Sequence, residues 1–302
     1  MTETLNGVVV VDKPAGPTSF AIVHQARRLT GARKVGHGGT LDPAASGVLP
    51  ICFGEGTKIA QFLLDADKEY EAVVRLGVAT DSYDATGNIT ARQAAGHLSE
   101  ATVAEALAAF RGWIAQTPPV FSALKRDGRP LYSYARAGEV VTVEARQVRI
   151  DTLELAGFDT TNHAEPAARL RVVCSKGTYI RSLAHDLGAR LGVGAHLEAL
   201  RRTRSGPFGL EQAIPPADLA KAGEVIVSPA RALAALPAMT ISAAGAAAVS
   251  EGRAICWQDL GPCPATDGPV CLLGEDGALI AVAIAAGPEA RVRTHRVFGR
   301  EG

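Results

Sequence analysis

Apolar residues in this chain come in short blocks separated by glycine-, proline- and charge-rich breaks. Gly7-Val8-Val9-Val10-Val11 is a continuous β-branched run that reads as a buried strand, ending at Asp12-Lys13-Pro14-Ala15-Gly16. Thr18-Ser19 supply a hydroxyl cap for a helix with Phe20, Val23 and Ala26 on its apolar face, stopped by Gly31. A glycine-rich loop follows, then a short helix over 57–64 and a strand over 68–76 that leads to a polar turn at 80–87. Thr102-Val103-Ala104-Glu105 has capping-box spacing and predicts an Ala-rich helix ending near Gly112. A basic, proline-containing loop over 118–130 precedes a helix reaching Ala137. Strands are expected over 140–155, 168–174 and 199–203, with an amphipathic helix over 178–191. Residues 215–237 read as a connecting region, 243–250 as a small helix, and Glu275-Asp276-Gly277 as a hairpin turn between two apolar runs. The pattern predicts a mixed α/β body, residues 1–235, with a small, mostly β module over 236–302.

The segment richest in chemistry runs from Gly36 to Gly47, where Asp42 is the lone carboxylate in a loop built from Gly36, Gly38, Gly39, Gly47 and Pro43. Glycine permits close backbone approach and proline fixes its own φ, so such a loop can hold one carboxylate rigidly against a bulky substrate. The apolar run Val48 to Phe53 that follows ties the loop to the core. A dinucleotide fingerprint fails because Leu41 stands where its third glycine belongs, and Gly54-Glu55-Gly56-Thr57-Lys58 lacks P-loop spacing. Ser46 is not in a nucleophile elbow, since Ala44 replaces the required glycine.

Composition narrows the class. With 47% hydrophobic and 21% charged residues among 302, the chain is globular and not disordered. No apolar run has the length of a membrane span and no signal segment opens the chain, so a cytoplasmic protein is expected, without membrane contact. The five cysteines (Cys52, Cys174, Cys256, Cys263, Cys271) form no C-x-x-C pair and suit reduced thiols, and the seven histidines show no metal spacing. Asp81 and Asp84 belong to a turn expected to satisfy its own backbone, and His185-Asp186 to a helix face. The zero net charge conceals an uneven spread: five basic and no acidic residues over 13–41, eight basic against two acidic over 169–204, and three basic against nine acidic over 205–290. The two basic stretches are candidates for phosphate contact.

Three further groups carry candidate chemistry. Cys174 to Gly188 reads as strand, turn and helix with Tyr179 and Arg181 in the first turn, where Arg181 could align a carboxylate from elsewhere. Lys68-Glu69-Tyr70 opens a strand, and Tyr70 could stack on a base. Leu200-Arg201-Arg202-Thr203 joins arginines to an apolar anchor. Together with Asp12 to Ser19 and Gly36 to Ile51, these segments occur in an order that resembles the TruB-type tRNA pseudouridine synthases, across roughly the first 210 residues.

The resemblance implies a pseudouridine synthase fold, a mixed and largely antiparallel sheet flanked by helices, with a PUA-like RNA-binding module at the C-terminus. It implies isomerisation of uridine 55 in the T-loop of tRNA, with no metal or organic cofactor. By resemblance Asp42 is the catalytic aspartate, Arg181 its ion-pair partner and Tyr70 the residue stacked on the target base. His37 contacts the flipped nucleotide, Tyr179 and Leu200 line the base pocket, and Lys13 and Pro14 are structural. Arg33, Lys34, Lys125, Arg126, Arg201 and Arg202 are candidates for the RNA backbone. The partner implied is the T arm of tRNA, bound by a monomer without an obligate protein partner. The acidic C-terminal module is expected to touch RNA through a limited edge only. A non-catalytic tRNA-binding or folding factor, or a synthase acting on another RNA, would use the same scaffold. Asp42 could attack C1′, add to C6 or promote a glycal route, and the base that takes the C5 proton is Asp42 or Tyr70.

Overall fold

The structure is a computed structural model that describes residues 5–299 apart from 123, 127, 140, 263, 264, 286 and 288. The chain opens with β1 (Gly7–Lys13), α1 (Ser19–Thr30), β2 (Val35–His37), β3 (Ser46–Phe53), α2 (Ala60–Asp65) and β4 (Lys68–Leu76). There follow β5 (Val78–Thr80), β6 (Ile89–Arg92), α3 (Glu100–Leu107), β7 (Gly112–Gln116), the two-residue strands β8 (Lys125–Arg126) and β9 (Arg129–Pro130), and α4 (Leu131–Arg136). The long β10 (Arg146–Asp159) and β11 (Ala167–Cys174) lead to α5 (Ile180–Arg190), β12 (Ala195–Ser205), β13 (Phe208–Gly209), α6 (Ala222–Val225) and α7 (Pro229–Ala232). The last part holds β14 (Ala238–Thr240), α8 (Ala243–Ser250), α9 (Trp257–Leu260), β15 (Pro269–Leu273), β16 (Leu279–Ile284) and β17 (Arg293–Val297).

The main sheet runs β1-β3-β12-β4-β11-β10-β7, with β2 added to β3 and β13 to β12. Every strand pairing described in this sheet is antiparallel except β3 with β12, which run parallel through Arg201↔Ser46 and Arg202↔Gly47. That parallel joint brings the loop before β3 beside the end of β12. Helices α1, α3 and α5 cover one face, where Val9, Val11, Ile51, Phe53, Ala72 and Val74 meet Ile22, Val103, Leu183 and Leu187 in one core.

Strand β1 is apolar at every position from Gly7 to Val11 because both its faces are covered. Val9 and Val11 enter the main core, whereas Val8 and Val10 pack with Val48, Cys52 and Phe208 against Leu233, Cys271, Leu279, Val282 and Phe298 from the C-terminal part. The second sheet, β14-β15-β16-β17, turns its other face to α8 and to Trp257, which is fully buried. The segment expected as a plain connector over 215–237 is instead docked along the free edge of β1. Val8 exchanges backbone hydrogen bonds with Val227 at 2.8 Å, and Ile214 pairs with Val10 and Asp12 at 2.9 Å. Covering that edge removes a row of unpaired backbone groups.

Local signals behave as their chemistry requires. Thr18 caps α1 through its hydroxyl, and Gly31 closes it in a left-handed conformation. Helix α3 begins earlier than the Thr102 capping box implies. Ser99 is the cap and accepts from Thr102 N, so the threonine sits inside the first turn. Among the described residues no helix is long and apolar enough to cross a membrane, and no cluster of three or more His, Cys, Asp or Glu residues could hold a metal. Cys263 and Arg300 lie outside the described residues.

Gly47 makes the parallel joint possible. Its φ is +104°, and a Cβ there would come within 2.1 Å of the Arg202 carbonyl oxygen. Gly192 has a similar left-handed φ of +73° but open space around it. Gly192→Ala should therefore cost about 1 kcal/mol and Gly47→Ala at least about 3 kcal/mol, read from denaturant midpoints. Losses of equal size would contradict this account of the joint.

Candidate active site

The Asp42 loop is fixed by cations buried beneath it. Lys13, at the end of β1 and fully buried, donates from Nζ to the carbonyls of Pro14 and Pro17 at 2.9 Å and of Pro43 at 3.3 Å. Arg202, 1% exposed on β12, donates to Val48 O (2.7 Å), Thr40 O (3.2 Å) and Gly39 O (3.1 Å). Ser19 at the start of α1 clips the loop from a third side, accepting from Leu41 N at 2.8 Å and donating to Leu41 O at 3.0 Å. Burial pushes the Lys13 pKa down to about 8, with the Asp42 charge acting against that fall and the Arg202 charge adding to it.

Asp42 thus projects from a pinned loop, its side chain 40% exposed, into a cavity of about 360 Å³. Arg181, 6% exposed in the first turn of α5, brings Nε within 2.9 Å of Asp42 Oδ2. The Nε–H does not aim at that oxygen closely enough for a hydrogen bond, so the contact is an ion pair by proximity. The guanidinium is held from behind: Nη1 donates to Phe121 O at 2.9 Å and Ser82 O at 3.3 Å, and lies 3.6 Å from Asp84 Oδ2. Asp84 does satisfy its own turn, accepting from Thr86 N and Ser82 Oγ, while its second oxygen faces Arg181. Arg181 therefore sits between two carboxylates.

The cavity wall contains Asp42, Tyr70, Tyr179, Arg181 and Leu200 together, drawn from the loop, β4, the cap of α5, α5 itself and β12. Tyr70 stands opposite Arg202 across the β4–β12 ladder and is 9% exposed. Burial raises its phenol pKa against the opposing pull of Arg202, so the phenol stays protonated at neutral pH. Tyr179 is the residue before α5, not within its first turn, and its backbone is gripped by the buried Gln116 side chain through Tyr179 N→Oε1 (2.8 Å) and Nε2→Tyr179 O (3.1 Å). Ser182 ties the same helix start to Thr117 O at 2.7 Å.

His37 lies on β2 outside the cavity wall, two residues before Gly39, which does line it. Its Nδ1 faces Gly39 N at 3.4 Å, and burial, then the Arg202 charge, lower its pKa, so the ring is neutral at pH 7.

Two family models cover most of the body of this chain. Residues 27–180 match the N-terminal domain of the TruB family pseudouridylate synthases, and residues 181–233 match the tRNA pseudouridylate synthase B C-terminal domain. The chain belongs to the TruB family of pseudouridylate synthases. It is 50% identical over 254 residues to the tRNA pseudouridine synthase B of Azoarcus sp. strain BH72, covering 82% of this chain and 83% of the relative. It is 48% identical over 276 residues to that of Aromatoleum aromaticum, covering 90% and 86%. Among solved structures it resembles a chain of a Cbf5-Nop10-Gar1 complex, with a TM-score of 0.75 and 29% identity over 96% of this chain and 84% of that one. The mixed, largely antiparallel sheet flanked by helices is the fold the resemblance implied.

Within this TruB-family fold, two of the RNA-backbone candidates are engaged by the protein itself. Arg202 is buried, and each of its three guanidinium nitrogens donates to a backbone carbonyl, Nε to Val48 on β3 and Nη1 and Nη2 to Thr40 and Gly39 of the loop. Arg201 is half-exposed and forms a two-point pair with Asp12 at 2.8 and 3.1 Å. The basic stretch over 169–204 is largely neutralised within the fold, since Arg171 and Arg204 pair with Glu69, Lys176 with Asp65 and Arg181 with Asp42. Arg33, Lys34, Lys125 and Arg126 are exposed, the last two on the β8–β9 hairpin. Sequence reasoning missed Asp84, Gln116, Lys68 and Arg146. Local turn chemistry hid the first, Lys68 serves carbonyls only two to five residues away, and Gln116 and Arg146 are strand residues whose neighbours are distant in sequence.

The loop assignment makes Arg202 a folding residue. Arg202→Met should lower stability by at least about 3 kcal/mol in urea unfolding, because buried carbonyls lose their donors. The exposed Arg33→Met should stay within about 0.5 kcal/mol. An Arg202→Met protein of unchanged stability that had lost only RNA affinity would refute the assignment.

Proposed function

We propose that this chain isomerises uridine 55 in the T-loop of tRNA to pseudouridine. The observation that carries the reading is that Asp42 is the one carboxylate among the described residues lining the cavity, paired with the buried Arg181 and facing Tyr70, Tyr179 and Leu200. The relatives named tRNA pseudouridine synthase B supply the substrate class. The cavity lies within the size range that encloses a small ligand or a single nucleotide. Everting the uridine costs a few kcal/mol of unstacking, offset by contacts in the pocket and along the backbone.

The reaction conserves atoms and electrons. The N1–C1′ bond breaks, the uracil turns, C5 bonds to C1′, the C5 proton leaves to a base, and N1 ends protonated. No oxidant, reductant or group donor is required. Asp42 acts on the everted nucleotide at C1′, at C6 or by way of a glycal, and each route needs an ionised, aligned carboxylate, which the Arg181 cation favours. Because burial keeps Tyr70 protonated, its ring serves as a stacking surface and Asp42 is the group that takes the C5 proton. Tyr179 and Leu200 keep the detached base from escaping.

On this reading residues 1–235 form the catalytic unit and 236–302 a PUA-like module that touches RNA through a limited edge. The exposed Arg33, Lys34, Lys125 and Arg126 follow the RNA backbone, and the neutral His37 meets the nucleotide outside the pocket. The enzyme works in the cytoplasm as a monomer, without an obligate protein partner.

Asp42→Asn should reduce turnover at least about 10³-fold while leaving tRNA affinity within a few fold, because the amide cannot act as nucleophile or base. Release of the C5 hydrogen from tRNA transcripts with and without uridine 55 measures this. Isomerisation by the asparagine variant, or equal conversion of both transcripts, would contradict the proposal.

A further inference from the structure

We infer that Arg146 grips a phosphate flanking the everted uridine, an inference that rests on the RNA substrate proposed above. Four cations line the cavity: Lys68, Arg146, Arg181 and Arg202. Three are committed. Lys68 Nζ donates to the carbonyls of Leu63 (3.2 Å), Leu64 (2.6 Å) and Ala66 (2.5 Å), closing the end of α2. Arg202 serves the Asp42 loop, and Arg181 is divided between Asp42, Asp84 and two carbonyls.

Arg146 differs. It opens β10 opposite Gln116, and its guanidinium carbon lies 5.3 Å from the centre of the Tyr179 ring. Among the described residues nothing accepts from its Nε or Nη2, although both atoms are shielded from water. No described carboxylate pairs with it. Nε and Nη2 are the two nitrogens whose hydrogens point the same way from a guanidinium, the edge that matches two oxygens of one phosphate. Uracil itself is uncharged, so the anion an everted nucleotide brings to this wall is its phosphodiester. Capture requires the guanidinium to turn from its present packing, and Tyr179 offers a cation–π surface from which to turn. An unmet buried fork costs stability in the free protein, which is the expected mark of a residue kept for a ligand.

The test is a cycle of protein and RNA changes. T-arm RNA hairpins carry either natural linkages or a neutral methylphosphonate on one side or the other of the target uridine. With natural RNA, Arg146→Gln should lower kcat/KM and affinity about 10- to 100-fold. One of the two methylphosphonate linkages should cost the wild-type protein a similar factor and cost Arg146→Gln nothing further. Arg146→Lys, which keeps the charge without the fork, should recover part of the loss. The melting temperature of Arg146→Gln without RNA should be unchanged or higher, because two unsatisfied donors are gone. The inference is overturned if the two losses multiply at both linkages, if neither linkage affects the wild type, or if the melting temperature falls with the activity. Wild-type protein that converts uridine but shows no coupling sinks this inference alone. Coupling in affinity without any conversion supports it and sinks the proposed reaction instead.

Discussion

Two positive charges buried beneath a loop govern this structure. Lys13 and Arg202 have almost no access to water, and the loop carbonyls on either side of Asp42 take the place of their hydration. Moving that loop would strand a charge in a low-dielectric interior, which costs several kcal/mol per ion. The glycines let the backbone come close enough to offer those carbonyls, and the cations then prevent it from leaving. Flexibility in sequence thus becomes rigidity in the fold, and Asp42 inherits a fixed position.

The same economy organises the rest of the cavity. The parallel contact of β3 with β12 puts Arg202 under the loop and Leu200 on the wall, and the adjacent β4 adds Tyr70. Helix α5 is anchored at its first turn by Gln116 and Ser182, so Tyr179 and Arg181 enter from a fixed direction. Asp84 supplies a second carboxylate near Nη1 of Arg181, while Nε lies beside Asp42. Pre-set polarity of this kind need not reorganise as charge develops on a substrate.

Much of this is legible in the sequence where a local rule governs. The valine run of β1, the Thr18 cap and Gly31 stop of α1, the strand from Lys68 to Leu76 and the hairpin at Glu275-Asp276-Gly277 each follow from side-chain period or turn chemistry. The glycine loop marks Asp42, and the ordered motifs mark Tyr70, Tyr179, Arg181 and Leu200. What escapes is set by partners far along the chain. Arg202 and Arg201 look alike in sequence, yet strand alternation sends one into the interior and leaves the other half-exposed. The net charge of a stretch cannot show that Glu69 and Asp12 on other strands and Asp65 at the end of α2 pair with its cations. The segment after β12 has the composition of a linker but is held by the backbone edge of β1, which no side chain advertises. Cys52 and Cys174 are buried, their thiols pushed up to about 12, which agrees with inert reduced cysteines.

The central claim is that the carboxylate of Asp42, held by Arg181, meets an everted uridine inside this cavity. A crystal structure of the chain with a T-arm RNA carrying an unreactive analogue of the target uridine tests it most directly. The expected result is the base enclosed by Tyr70, Tyr179 and Leu200 with an Asp42 oxygen about 3–3.5 Å from C1′ or C6 of the nucleotide. A target base still stacked in the RNA, or seated in the cavity with Asp42 turned away from both carbons, would contradict it.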